Sequence, residues 1–481
     1  MTIINWIKDH QVEAVLILII LLVGGFLRFY NVGEWVPFGQ DEGRDAFVVR
    51  SIAQDGDIQL LGPAAPNNRT DFHLGPGFYY LLVPFYWLSA MSPAGGAWAI
   101  ALFSFLSIFL VYLVGRNFFS WRAGLIAASL FSVSFAMVYY GRWSWNPNVV
   151  PFFALLIFLS LFKLTKLKEN NQNSKYIFLL ATAFGLIIQM HGTAMIVLPI
   201  ILILFFIIFR PKISWKKYLL AILIVLVLNS PYIVYDLTNG FDNTRGFFQV
   251  LTQSDSNQSL GLWARLSNTY EVWQNFWHET LLHSQTDLLF FILFAGSIIY
   301  FLLKLWSGIK KHSASNILLL LWLVVPAIVF IFYKELIPYH YFCFIFPLPF
   351  LMLAYLFDYF WRNGFLKVII VLVVLGLFGW QLFYSVQLLA DLAPDGSRAS
   401  SYPVTLSDME SAVNYVIEDS NGQPFNFISL PSHSYDRSYQ YLFDNEGVIP
   451  SVIPEKLHYQ SMVGKNGDNV FGNVIIIKTI Y

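Results

Sequence analysis

The strongest constraint in this sequence is a succession of apolar stretches, each close to the length a helix needs to cross a lipid bilayer. The clearest are Ala14 to Leu27, Met195 to Phe209 and Val368 to Trp380. With aromatic and weakly polar flanks, each approaches the roughly 20 residues that span the hydrocarbon core. Crossings are predicted near residues 13–30, 98–115, 122–140, 147–163, 176–190, 193–209, 218–235, 286–304, 316–333, 341–357 and 367–389. Only 12% of the 481 residues are charged, about half of what a water-facing fold carries. The expected fold is an all-α polytopic membrane protein with about eleven crossings, because helices satisfy their own backbone in lipid. The 29 basic and 29 acidic residues balance, which implies no nucleic-acid partner. The lone Cys343 excludes an intrachain disulfide and is expected simply to pack.

Basic residues mark the cytoplasmic side of such a chain. Lys163, Lys166, Lys168 and Lys175 form one cluster, and Arg210, Lys212, Lys216 and Lys217 another. Lys304, Lys310 and Lys311 agree, as do Arg362 and Lys367. Counting back from Lys163 places Arg142 to Asn148 outside, Arg116 and Arg122 inside, and the N-terminus with Lys8 inside. Residues 31–97 then lie wholly outside. The stretch Gly75 to Met91, broken by Pro76 and Pro84, becomes an interfacial helix along the outer leaflet. Alternation is imperfect between residues 163 and 235, where the helix at 176–190 turns at His191 and Gly192. The first apolar run lacks a small-x-small cleavage site and reads as an uncleaved anchor.

The expected organisation is a transmembrane body over residues 1–390, with external loops 31–97 and 236–285, followed by residues 391–481. That tail alone has a soluble composition. It is expected to be a small extracytoplasmic α/β appendage, with a helix at Ser407 to Glu418 and strands at Phe425 to Leu430 and Asn473 to Ile480. The location implied is the plasma (inner) membrane.

Chemistry concentrates in Gln40-Asp41-Glu42-Gly43-Arg44-Asp45, just after the first crossing. On a helix Asp41 and Asp45 share one face beside Arg44. A carboxylate there can act as a general base or hold a divalent metal, and the arginine can contact a phosphate. A solvated loop with a local Asp–Arg pair is the plain alternative. His73 is a metal ligand, an acid–base group, a phosphate contact or a structural histidine. Arg142, in the turn Arg142-Trp143-Ser144-Trp145-Asn146-Pro147-Asn148, is a candidate anion contact among interface-anchoring aromatics. Lys334, Glu335, Tyr339 and His340 occupy another external turn, where a lysine can clamp a lipid phosphate or snorkel. His278-Glu279-Thr280-Leu281-Leu282-His283 is not a zinc-protease helix, because that site needs its histidines four apart. The sequence has no phosphate-binding Gly-rich loop and no nucleophile elbow; Asn68-Arg69-Thr70 matches a glycosylation sequon.

Asp41-Glu42-Gly43-Arg44-Asp45-Ala46, Arg50, Gly56-Asp57 and His73-Leu74-Gly75-Pro76-Gly77-Phe78-Tyr79-Tyr80 together resemble the first external loop of GT-C glycosyltransferases. The protein O-mannosyltransferases and the lipid A aminoarabinose transferase are the nearest in pattern. Tyr333-Lys334, Pro338-Tyr339-His340-Tyr341-Phe342 and Phe346-Pro347-Leu348-Pro349 are similar to their later lysine–tyrosine turn. The resemblance implies a GT-C-like fold and a polyprenyl-phosphate-sugar donor. It implies Asp41 as the catalytic carboxylate, with Glu42 as runner-up, and Arg44, Lys334 and Tyr339 near the carrier. Where the aminoarabinose enzyme has Glu-Lys-Pro, this chain has His73-Leu74-Gly75, so a phosphate-binding lysine is missing and any metal ligand there would be His73. The reading is sugar transfer at the outer face to a lipid, glycan or protein acceptor, in contact with membrane lipids. Asp41 and His73 are the candidate ligands of a divalent metal, and no other cofactor is implied. The competing readings are a lipid-linked sugar flippase or transporter and a non-catalytic glycan-binding membrane protein. The first would place ionisable groups at mid-membrane, whereas here charges gather outside.

Overall fold

A computed structural model describes residues 3–64, 72–167, 172–252, 261–283, 302, 313–333, 337–361, 364–393, 404–430, 432–464 and 469–480. Lys334 and Glu335, the sequon at Asn68 to Thr70 and nearly all of the expected crossing at 286–304 lie outside these residues.

A short helix α1 (Ile3–Asp9) leads into α2 (Gln11–Phe29). The outer region carries α3 (Gln40–Arg50) and α4 (Gly77–Leu88). The body continues with α5 (Ala94–Phe118), α6 (Trp121–Val133), α7 (Phe135–Tyr140), α8 (Val150–Thr165), α9 (Tyr176–Met190), α10 (Gly192–Phe209), α11 (Trp215–Leu228) and α12 (Ser230–Thr238). After α13 (Asp242–Thr252) and α14 (Leu262–Leu281) come α15 (Ala314–Phe332), α16 (Leu348–Phe360) and α17 (Gly364–Leu392).

Among the described residues six helices are long and apolar enough to cross a membrane, or eight if two bent pairs each count as one span. The bent pairs are α11 with α12, at 65°, and the 3₁₀ turn Tyr339–Ile345 with α16, at 50°. The expectation of about eleven is therefore not met by length and composition. Two of the expected segments, 122–140 and 176–190, form shorter helices: α6 breaks before α7 at Ser134, and α9 ends at His191. Helix α4 has 12 residues, about 18 Å at 1.5 Å per residue, and so is too short to cross alone. It buries Phe78, Tyr79, Leu82 and Tyr86 and leaves Trp87 and Leu88 exposed.

Polar ties join the helices at both ends. At the start of α2, the buried Glu13 pairs with Arg116 at 2.7 Å and accepts a hydrogen bond from Tyr112. At its far end Arg28 is fully buried and donates to Ser104 Oγ and the Ser132 carbonyl, both at 2.7 Å. Buried Cys343 packs, as expected.

The tail has α18 (Leu406–Ser420), β1 (Phe425–Leu430), α19 (Ser432–Asn445), β2 (Leu457–Val463), β3 (Val470–Phe471) and β4 (Val474–Ile480). Its sheet runs β1-β2-β4-β3, with β1 parallel to β2 and the other pairs antiparallel. Phe425 pairs with Leu457 across the parallel step. The tail does not hang free: α19 lies against α3. A Cβ on Gly43 would come within 2.5 Å of the Ser438 backbone nitrogen, so this crossing requires glycine. Ser438 donates to the Gly39 carbonyl, Tyr441 donates to the Met91 carbonyl at 2.6 Å, and Arg50 pairs with Asp444. Pro37 and Thr405 form an isolated bridge beside these contacts.

Candidate active site

Helix α3 begins at Gln40. Gly39 is the N-cap, and its backbone N–H donates to Glu42 Oε2 at 2.9 Å. Asp41 and Glu42 sit in the first turn, where the helix dipole favours negative charge. One turn on, Arg44 lies between two carboxylates of different character. Its Nη1 reaches Asp41 Oδ1 at 2.8 Å, and the Asp41 side chain is 53% exposed. Its Nε and Nη2 both reach Asp45 Oδ1, at 2.9 and 2.7 Å, and Asp45 is 3% exposed. Asp45 Oδ2 is buried and has no hydrogen-bond partner.

Burial acts on both inner carboxyls. Desolvation first, with Asp41 adding repulsion, pushes the Glu42 carboxyl up to about 8 against the pull of its hydrogen bonds. Desolvation raises Asp45 to about 6, with the neighbouring Arg44 limiting the rise. Asp45 faces Tyr79 of α4, whose hydroxyl is in turn held above its ordinary range by burial and by Asp45.

Beside α3 stands an aromatic wall. Trp143 Nε1 donates to Glu42 Oε1 at 2.6 Å. The Trp143 ring stacks on Trp145 at 4.8 Å, and Trp145 meets His340 edge-on at 4.6 Å. Tyr140 stacks on Tyr339 at 5.7 Å, and the Tyr339 hydroxyl lies 3.1 Å from Thr280 Oγ1 of α14. His73 enters through its backbone. Its N–H donates to Asn243 Oδ1 at 2.7 Å and its carbonyl accepts from Asn243 Nδ2 at 3.0 Å. Two residues on, Gly75 abuts the Gln189 side chain, which a Cβ would meet at 2.5 Å.

Comparison with known proteins now bears on this arrangement. Residues 73–235 match the protein-family profile described as dolichyl-phosphate-mannose-protein mannosyltransferase. No curated protein matches the sequence. Among solved structures, ArnT from Cupriavidus metallidurans in the apo state aligns with a TM-score of 0.58 at 14% identity, over 94% of this chain and 93% of that one. The same protein bound to undecaprenyl phosphate gives 0.57 at 13% identity, over 96% and 94%. The oligosaccharyltransferase of Archaeoglobus fulgidus in its apo form gives 0.58 at 14% identity, over 89% of this chain and 63% of its own longer chain. The chain has the fold of these two proteins, and its residues 73–235 carry the mannosyltransferase profile.

Asp41, Glu42 and Arg44 come together on α3, and contacts running Glu42–Trp143–Trp145–His340 join them to the later turn. Arg142 is a correction. It is buried, and its Nη1 donates to the carbonyls of Leu27 and Arg28 at 3.0 and 3.1 Å, its Nη2 to that of Tyr30 at 2.9 Å. It clamps the C-terminus of α2, where a cation suits the helix dipole, so these donors are spent on carbonyls and not on a phosphate. Among the described residues no three His, Cys, Asp or Glu side chains converge to hold a metal, so Asp41 and His73 belong to no such set. Three contributors escaped the sequence reading: the burial of Asp45, Tyr79 opposite it, and the indole of Trp143. A signal existed only for the first, in its four-residue spacing from Asp41.

Proposed function

We propose that this protein is a glycosyltransferase that moves a sugar from a polyprenyl-phosphate carrier to an acceptor hydroxyl or amine at the outer membrane face, with inversion at the anomeric carbon. The acceptor attacks that carbon as its bond to the phosphate oxygen breaks, and the electron pair leaves on the carrier phosphate. Asp41 takes the acceptor proton. Its exposure supports it over Glu42, whose two oxygens are occupied by Gly39 and Trp143. Arg44 and Lys334 take up the charge on the departing phosphate, in the manner of preorganised electrostatic stabilisation. We assign Tyr339, His340 and His73 to the binding of donor and acceptor in the same site. The likeness to ArnT bound to undecaprenyl phosphate and the mannosyltransferase profile support the donor class.

The single observation that carries this reading is an exposed aspartate and a half-exposed arginine held together at the start of one short helix outside the apolar bundle. Purified protein in nanodiscs, given a labelled polyprenyl-phosphate sugar and candidate acceptors, should release free carrier phosphate; no release with any sugar would overturn the reading. For orientation we place the N-terminus inside and residues 391–481 outside. A cysteine at Ile449, exposed in the tail, should be labelled in intact cells, and one at Lys216 only after permeabilisation. The reverse pattern would invert the topology.

A further inference from the structure

We infer that Asp45 is a positioning residue that fixes Arg44 for donor phosphate, and that the phosphate binds by exchanging with Asp41, so that donor binding releases the catalytic carboxylate. This rests on the reading of Arg44 as a phosphate ligand and specifies how it works.

The two carboxylates on Arg44 differ in kind. Asp45 is buried and takes the side-on edge of the guanidinium, Nε and Nη2, on a single oxygen. Asp41 is exposed and takes only Nη1. An exposed ion pair contributes about 0–1 kcal/mol because water and salt screen it, whereas removing one partner of a buried pair costs about 3–5 kcal/mol. A competing anion therefore displaces Asp41 and leaves Asp45 in place. A guanidinium has five N–H donors in a planar fork. With Nε and one Nη2 hydrogen held by Asp45, and the Tyr79 hydroxyl also against the guanidinium, the Nη1 hydrogens that Asp41 gives up can serve phosphate oxygens.

The exchange has a consequence for order. While Asp41 accepts from Nη1, that oxygen is engaged and not open to the acceptor's proton. Once phosphate takes that place, the carboxylate is free within reach of the site. Donor binding thus precedes activation of the acceptor.

The inference makes two predictions of opposite sign, read with undecaprenyl phosphate as the probe, by equilibrium binding in nanodiscs and without turnover. Asp41→Asn removes the competitor and should tighten binding by about two- to fivefold, the range of one exposed pair. Asp45→Asn removes the anchor and should weaken it by about tenfold or more, with Asp45→Glu recovering part of the loss. In steady state Asp45→Asn should raise the donor KM far more than it lowers kcat, a split that a merely structural role would not produce. Asp41→Asn carries the test even if the buried variant folds poorly, since its site is exposed. Weaker binding in Asp41→Asn, or tighter binding in folded Asp45→Asn, overturns the exchange. Wild-type protein that binds no undecaprenyl phosphate overturns instead the reading of Arg44 beneath it.

Discussion

Arg44 and Arg142 stand on either side of the same region and have opposite uses. Arg44 is half-exposed and held by two carboxylates. Arg142 is buried and held by three backbone carbonyls at the end of α2, with Arg28 equally buried below it on the carbonyls and hydroxyl of its neighbours. Carbonyls at a helix terminus cannot be exchanged, because leaving them unpaired in an apolar interior costs about 1–3 kcal/mol each. An exposed carboxylate can be exchanged, because water replaces the arginine. The partner, more than the residue type, separates a structural arginine from one available to substrate.

The comparison can be broken most directly through the group that faces Arg44. Asp41→Asn keeps the size of the side chain and removes its charge, so turnover should fall by about 10²–10⁴ while the thermal midpoint stays near wild type. Near-normal turnover would move the base elsewhere. Next in size, Arg142→Met should leave the α2 carbonyls unpaired and cost about 1–3 kcal/mol for each one that finds no new partner. Thermal unfolding in detergent measures this loss, and the folded fraction should retain its affinity for undecaprenyl phosphate. Arg44→Met should instead lose donor affinity. Losing charge-assisted contacts costs about 1.5–3 kcal/mol, or roughly ten- to a hundredfold in donor affinity, and the buried Asp45 left without its partner should lower the unfolding midpoint as well. If Arg142→Met and Arg44→Met behave alike in both assays, the distinction between them fails.

What the sequence disclosed follows the same division. Apolar runs are local, and ten of the eleven predicted crossings fall on helices, the eleventh lying outside the described residues. In the tail, Ser407 to Glu418 and the strands at 425–430 and 473–480 match α18, β1 and β4 to within two residues. Helix α19 went unread because Ser432–Asn445 is rich in Ser, Asp and Tyr, which are weak helix formers; it is held by packing on α3 and β1. Strand β2 went unread because Ser461 breaks the apolar alternation that Leu457 and Tyr459 begin. At the site, the shared helix face of Asp41 and Asp45, with Arg44 beside them, was legible from four-residue spacing. The clamp formed by Arg142 was not, since its acceptors lie 112 to 115 positions away. Nor was the indole of Trp143 on Glu42, 101 positions apart. Residue types are local information, and burial is not.

The smallest expected effect tests burial itself. Glu42 is 4% exposed, and burial together with Asp41 raises its carboxyl to about 8, so at neutral pH the neutral form predominates. The sign follows from linkage: a carboxyl raised on folding contributes stability that is complete below the ordinary carboxyl range and is lost as pH rises through about 8. From pH 7 to pH 9 the loss should be about 1.4 kcal/mol, the worth of one tenfold step in protonation. Asp45, raised to about 6, has already ionised by pH 7 and does not confuse this window. Glu42→Gln substitutes a permanently neutral group of nearly the same shape, able to accept from either Gly39 N–H or the Trp143 indole. Between pH 7 and 9 the unfolding midpoint of the wild type should decline, and that of Glu42→Gln should stay closer to level. Parallel curves would mean that Glu42 is ionised throughout. The site would then hold a buried negative charge beside Trp143.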